Sequence, residues 1–407
     1  MTVPDGWKEL PLGEVLERVF DYRGKSVPKA MSGIPLITAR NVREGFLDFT
    51  TQEYIDAACY DSWASRGMPC GGDILFTTEA PLGNVCLFPA EGKYVVGQRT
   101  VTLRPVKTVS SEFLINYFLS ELGKRRIDIR STGSTAKGIK SSELKKVLIL
   151  LPTFPEQKAI AAVLSSWDRA IEKIEALIEA KERRKAGLMQ RLLTGKVRFG
   201  GFGPGASEGC PDGWLVCRIE DVCKRVSRKN SIGELRVLTA SGEHGLVDQR
   251  EYFNRSVAGE SLANYYLLKK GEFAYNRSSM KGYPYGAIKR LDQYDAGILS
   301  TLYICFAVRE GKANLDFMRH FFDSSILNKG LRGIVQVGAR AHGLLNVSVG
   351  DFMRLTICIP KMKEQERIAA ALNAVSQELD GDRNHLALLK EQKKGLMQQL
   401  LTGKVRI

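Results

Sequence analysis

Long apolar runs are missing from this sequence. Runs such as "VLILL" at 147–151 and "LYICFAV" at 302–308 fall far short of the roughly 18–20 residues that cross a bilayer. The opening "MTVPDGW" has no basic segment followed by an apolar one. No signal peptide is expected, and the location read from the sequence is cytoplasmic. Histidine is scarce: His244, His320, His342 and His385 stand apart, with no metal-ligand spacing. The eight cysteines include no CxxC pair, and the gaps among Cys210, Cys217 and Cys223 do not suit a zinc knuckle. Reduced thiols and no metal are expected. There is no G-x-x-x-x-G-K-[ST] phosphate loop, since "LTGKV" lacks both the upstream glycine spacing and the hydroxyl residue. The glycines of "GGFGPG" (200–205) follow a helical pattern instead of a strand, so they read as linker. No (Asn/Asp)-Pro-Pro-(Tyr/Phe) tetrapeptide of adenine methylation occurs. No residue is assigned a catalytic role, and no cofactor is expected in this chain.

What is present is positive charge and repetition. Lys and Arg total 60 against 45 Asp and Glu, a net +15, which points to a polyanionic partner bound through salt-sensitive phosphate contacts. Apolar residues make up 44% of 407 residues, enough for two or more folded domains.

The repetition is close. "GLMQRLLTGKVRF" (187–199) returns as "GLMQQLLTGKVRI" (395–407), differing only at Arg191/Gln399 and Phe199/Ile407. Upstream, "LPTFPEQKAIAAVL" (151–164) faces "IPKMKEQERIAAAL" (359–372), and "PDGW" occurs at Pro4 and again at Pro211. The chain is therefore two copies of one plan. The boundaries read as 1–152 and 211–360 for two similar domains, 153–199 and 361–407 for two long helices, and 200–210 for a Gly-rich linker. Each "PDGW" reads as a turn at a domain entry.

Each helix carries apolar residues at steps of four and three. The first seam is Ile160, Leu164, Trp167, Ile171, Ile174, Ile178, Lys181, Lys185, Leu188 and Leu192. The second is Ile368, Leu372, Val375, Leu379, Asp382, Leu386, Leu389, Lys393, Leu396 and Leu400. A 3.5-residue period predicts a coiled coil, here antiparallel, ~58 Å long if each helix runs unbroken. The alternative is that each helix covers only its own domain. Pro155 and Glu156 suit a first turn. Thr194-Gly195 and Thr402-Gly403 suit the stops, whereas Gly187 and Gly395 weaken or kink the pattern. Between the helices, runs such as "GIPLIT", "GGDILFT", "NVCLFP" and "RTVTLRP" predict strands, as do "LRVLTA", "GEFAYN", "GAIKR" and "STLYICFAV". One helix follows in each domain, over 111–126 and 315–330. The fold class is α+β: two similar α/β domains with sizeable sheets, joined by paired helices with pseudo-two-fold symmetry.

These residues carry a resemblance. The two "PDGW" starts, "GGDILFT", "GEFAYN" with "STLYICF", the paired Glu-Gln helix starts and the paired helix ends resemble the specificity subunits of Type I restriction–modification enzymes. The resemblance spans the chain. It implies a non-catalytic subunit whose two domains each read half of an asymmetric bipartite DNA site. It implies docking of two methyltransferase subunits and, in the full complex, restriction/translocase subunits. Those partners would hold the S-adenosylmethionine, ATP and Mg²⁺ sites. The repeated helix ends would then offer one surface twice, to two identical partners. The rival classes are a stand-alone DNA-modifying enzyme and a structural coiled-coil adaptor.

Base edges and phosphates are read by polar and cationic side chains on loops. The first domain offers Arg40, Asn41, Thr77, Thr78, Gln98, Arg99, Ser134, Thr135 and Lys137. The second offers Ser241, His244, Asn276, Arg277, Lys281, Tyr283, Tyr285, Arg340 and His342.

Overall fold

The 3.5-residue period folds as two helices of 39 residues, Phe154–Leu192 and Met362–Leu400. A computed structural model describes residues 3–22, 28–63, 67–133, 137–206, 209–242, 244–253, 262–335 and 345–407. Two compact units divide the chain: Met1–Ala176 with Asn384–Ile407, and Leu177–Arg383. Each unit thus takes part of both helices. Every predicted seam position is buried or half-buried, while most positions between them are exposed. In the first unit Asp168 pairs with Lys393 and Glu175 with Lys390. In the second, Lys181 pairs with Asp382 and Glu182 with Arg383. Partner numbers fall from 393 to 390 between Asp168 and Glu175, and from 382 to 364 between Lys181 and Arg198, so the chain runs antiparallel in both units. Two of the polar interruptions of the pattern, Lys181 and Asp382, meet each other at 2.7 Å. Burial in the seam pushes the Lys185 ammonium below its ordinary pKa.

Neither internal glycine interrupts its helix. A Cβ at Gly187 or Gly395 would meet nothing within 4 Å. Gly187→Ala and Gly395→Ala should each stabilise the chain by about 0.5–1 kcal/mol, a rise of roughly 1–4 °C in the unfolding midpoint. Calorimetry checks this, and a fall in either midpoint would show that the helix needs its glycine.

The ends of the repeat close two equivalent latches. In the second unit the Arg198 guanidinium forks onto the Glu364 carboxylate at 2.8 Å through two nitrogens, and Trp214 Nε1 donates to the same carboxylate at 3.2 Å. A third Arg198 nitrogen donates to the Asp212 carbonyl at 3.0 Å. In the first unit Arg406 forks onto Glu156 and donates to the Asp5 carbonyl, while Trp7 Nε1 donates to Glu156 at 3.2 Å. Gly195 and Gly403, both at φ 68°, turn the chain against these sites. A Cβ would stand 2.3 Å from Pro211 or 2.4 Å from Pro4, so only glycine fits. Leu192 and Leu193 enter the apolar core of the second unit, and Leu400 and Leu401 that of the first. Each "PDGW" is a turn closed by a bond from the tryptophan N–H to the proline carbonyl. Glu156 and Glu364 therefore do more than suit a helix start. The Gln157 and Gln365 side chains accept from the Ser110 and Asn314 amides and donate to the Pro152 and Pro360 carbonyls. The repeated thirteen residues thus have an internal task, capping a domain entry in each unit.

A matching four-stranded antiparallel sheet stands in each unit. The first runs Leu16–Asp21, Thr100–Pro105, Ile74–Thr77, Val85–Leu87. The second runs Cys223–Arg225, Ile304–Val308, Phe273–Asn276, Ala287–Arg290, the same order by chain position. Both faces are covered. Ile74 and Phe76 face one core and Leu75 another; Phe273 and Tyr275 face one core and Ala274 another. The outer layers differ: a second four-stranded sheet in the first unit, and two two-stranded ribbons in the second.

Three expectations are corrected. The helix over 111–126 breaks at Ser120, whose hydroxyl accepts from the Gly123 amide and starts a new helix, Glu121–Ile129. The segment 315–330 stops after Asp323, where Ser324 is extended, and resumes as Asn328–Ile334. Cys210 and Cys358 are joined in a disulfide, their Cα atoms brought to 6.0 Å across 148 residues of chain, a proximity that sequence spacing does not show. "VLILL" proved to contain a strand, Leu148–Leu151, paired with Lys8–Pro11.

Candidate nucleic-acid interface

The loops at one end of the first unit's central strands enclose a cleft of about 320 Å³. It gathers Arg40, Gln98 and Arg99 from the predicted readers, with Lys29, Thr38 and Glu53 beside them. Arg40 and Arg99 are exposed. Arg99 is paired with Glu79 at 3.0 Å and Lys29 with Glu53 at 2.8 Å, both at the surface and so exchangeable for phosphate. Lys137, paired with Asp128, belongs to a segment whose Gly138 bridges to Glu79.

Other predicted readers are consumed by the fold. Asn41 is buried; its side-chain oxygen accepts from the Thr38 amide and hydroxyl, and its nitrogen donates to the Asp48 and Thr51 carbonyls. Thr77 and Thr78 are buried with their hydroxyls on the Asn84 and Arg99 carbonyls. These three shape the loops that Arg40, Gln98 and Arg99 stand on.

In the second unit the tight turn after Leu238–Ser241 lies against the loop following Phe273–Asn276. Ser241 is buried and accepts from the His244 amide; His244 itself is exposed. Lys281 is exposed. Tyr283 is half-buried, its hydroxyl donating to Asp323 at 2.9 Å, and burial raises its pKa well above the ordinary phenol value. Tyr285 packs on the core, and its carbonyl accepts from Tyr275. Asn276 ends its strand, half-buried. Arg277 holds the Leu302 and Val347 carbonyls at 2.6 and 2.9 Å, so it ties loops together. Its carbonyl accepts from Leu345, as that of Thr78 accepts from Ile139. The two frames therefore present their variable loops at matching places. Ser134, Thr135, Arg340 and His342 lie outside the described residues.

Sequence reading missed Lys29 and the buried Lys289. A lysine inside the strand "GAIKR" was the available signal. Of the four histidines, His320 is a core residue donating to Asn373 at 2.8 Å, and burial pushes its pKa down to about 4. Among the described residues no cluster of metal-ligating side chains exists, and no helix is long and apolar enough to cross a membrane.

The two units thus carry two copies of one sheet frame with divergent loops, together with antiparallel helices. Residues 4–182 match the family model described as the Type I restriction modification DNA specificity domain. Over its whole length the chain is 23% identical to the type I restriction enzyme MjaVIII specificity subunit of Methanocaldococcus jannaschii, covering 95% of that protein. It shares its fold with the S subunit of a Type-I restriction-modification system from M. genitalium (TM-score 0.54, 13% identity, 98% of each chain). The HsdS subunit from Thermoanaerobacter tengcongensis is similar as well (TM-score 0.51, 17% identity, 100% of this chain and 99% of that one). Residues 4–182 thus carry the match to a type I restriction modification DNA specificity domain, and the chain over its whole length is similar to type I restriction enzyme specificity subunits.

Proposed function

We propose that residues 1–152 and 211–360 each read one half of an asymmetric bipartite DNA site. The chain then directs adenine-N6 methylation and ATP-dependent restriction carried out by partner subunits. The observation that carries this reading is the contrast within the repeat. The sheet frame and the latch recur almost unchanged, while the exposed loop residues differ: Arg40, Gln98 and Arg99 in one unit, His244 and Lys281 in the other. A shared frame with unlike loops suits two unlike half-sites. The net charge of +15 supports phosphate contacts. Two methyltransferase subunits and the restriction/translocase subunits are the proposed partners, holding S-adenosylmethionine, ATP and Mg²⁺.

Mapping N6-methyladenine across the genome in cells with and without this gene tests the reading. The expected result is one non-palindromic, two-part motif that loses its methylation when the gene is deleted. A palindromic motif, or a methylation pattern indifferent to the gene, would overturn it.

A further inference from the structure

The strand Ala287–Arg290 pairs with Phe273–Asn276 so that Lys289 stands opposite Ala274. In the first unit Val85–Leu87 pairs with Ile74–Thr77 so that Cys86 stands opposite Leu75. Lys289 and Cys86 thus hold the same place in the two frames, and both are buried. The helices that follow, Leu315–Asp323 and Ser111–Leu119, have the same length and end in Asp323 and Leu119. Where the first unit has a thiol and a leucine at these places, the second has an ammonium and a carboxylate in contact.

A buried lysine has three N–H donors to satisfy. Lys289 Nζ donates to the Gly242 carbonyl at 2.8 Å, to the Tyr283 hydroxyl at 2.7 Å and to the Asp323 carboxylate. Tyr283 in turn donates to Asp323, and its ring lies 4.5 Å from the ammonium. One nitrogen therefore fastens the turn that carries Ser241 and His244 to the loop that carries Lys281 and Tyr283, and both to the end of a helix.

We infer that Lys289 is the positioning residue of the second half-site reader: it touches no DNA, and it sets the relative placement of the two segments that do. The inference rests on the reading given under Proposed function. It predicts that the two units respond differently, because the first carries Cys86 and Leu119 at these places.

The test uses the purified full-length chain and fluorescence anisotropy on duplexes carrying the mapped motif, intact or altered in one half. The informative variant combines Lys289→Cys with Asp323→Leu, the residue types that the first unit carries at these two places. Lys289 is buried and Asp323 only half-buried, and exchanging such an ion pair for apolar residues of similar volume is commonly close to neutral for stability. The unfolding midpoint should stay within about 2 °C of wild type. Discrimination against alterations in the second half should fall at least tenfold, with discrimination in the first half unchanged. Lys289→Arg, which keeps the charge, should recover part of the loss. Unchanged second-half discrimination in the double variant overturns the inference. So does equal loss in both halves, or unfolding of the double variant, which would make the node a support of the fold alone. A wild-type chain that discriminates neither half removes the reading beneath the inference, and that result is distinct from all of these.

Discussion

Glu364→Ala should lower the unfolding midpoint of the second unit by about 10 °C. Glu364 is 1% exposed, and the Arg198 side chain that forks onto it is 6% exposed. Removing the carboxylate leaves a buried guanidinium without its counter-charge and the Trp214 N–H without an acceptor. Breaking a buried pair from one side costs about 3–5 kcal/mol, a large share of a total stability of roughly 5–15 kcal/mol. At roughly 2–4 °C per kcal/mol for a unit of this size, that yields the stated shift. The twin variant Glu156→Ala should do less, because Arg406 is 45% exposed and water can replace its partner. Differential scanning calorimetry of both variants checks the order. Equal shifts would mean that burial does not decide the strength of the latch.

A chain cut to residues 1–199 should be a dimer. The first unit takes Leu400, Leu401 and Arg406 from the far end of the sequence. Without them its core loses two leucines, at about 1.5–3 kcal/mol each, and Glu156 and Trp7 lose their guanidinium. Ile160, Leu164, Trp167, Ile171 and Ile174 also lose the helix that covers them. The truncated chain carries the replacement itself: Leu192, Leu193 and Arg198 come from the same thirteen-residue motif. Intramolecular closure is unavailable, since those residues end the very helix that Glu156 begins. A second copy related by a two-fold axis can supply them in both directions. Sedimentation should give twice the chain mass. Arg198→Ala should shift the equilibrium towards monomer, because Arg198 would then be standing in for Arg406. With methyltransferase subunits added, the dimer should direct methylation of an inverted repeat. A monomer by sedimentation, or methylation of a non-palindromic motif, would refute the symmetry argument.

Much of this molecule was legible in the sequence because it depends on local period or on direct repetition. The spacing of Ile160, Leu164, Trp167 and their successors fixes one face of a helix wherever the chain goes, so the seam positions emerged from counting alone. The strands over 74–77, 85–87 and 273–276 follow from short apolar runs bounded by glycine, asparagine and proline. The repeat told that the units share a frame. What each repeated residue does was decided only by tertiary structure. Glu156 read as a favourable charge at a helix start, yet its contacts are Trp7 and Arg406, and no pattern in the sequence links those three positions. Thr77, Thr78 and Asn41 have side chains that can read bases, but hydrogen bonds to nearby carbonyls bury them, and a composition-based choice of readers has no access to burial. Lys289 sits in a strand where one charge among apolar neighbours marks a conflict. Its resolution lies in the Gly242 carbonyl, Tyr283 and Asp323, groups from separate segments that the fold alone brings within reach of one nitrogen. Local physics sets which elements form. The satisfaction of buried polar groups, which needs partners from anywhere in the chain, sets which side chains remain free to meet DNA.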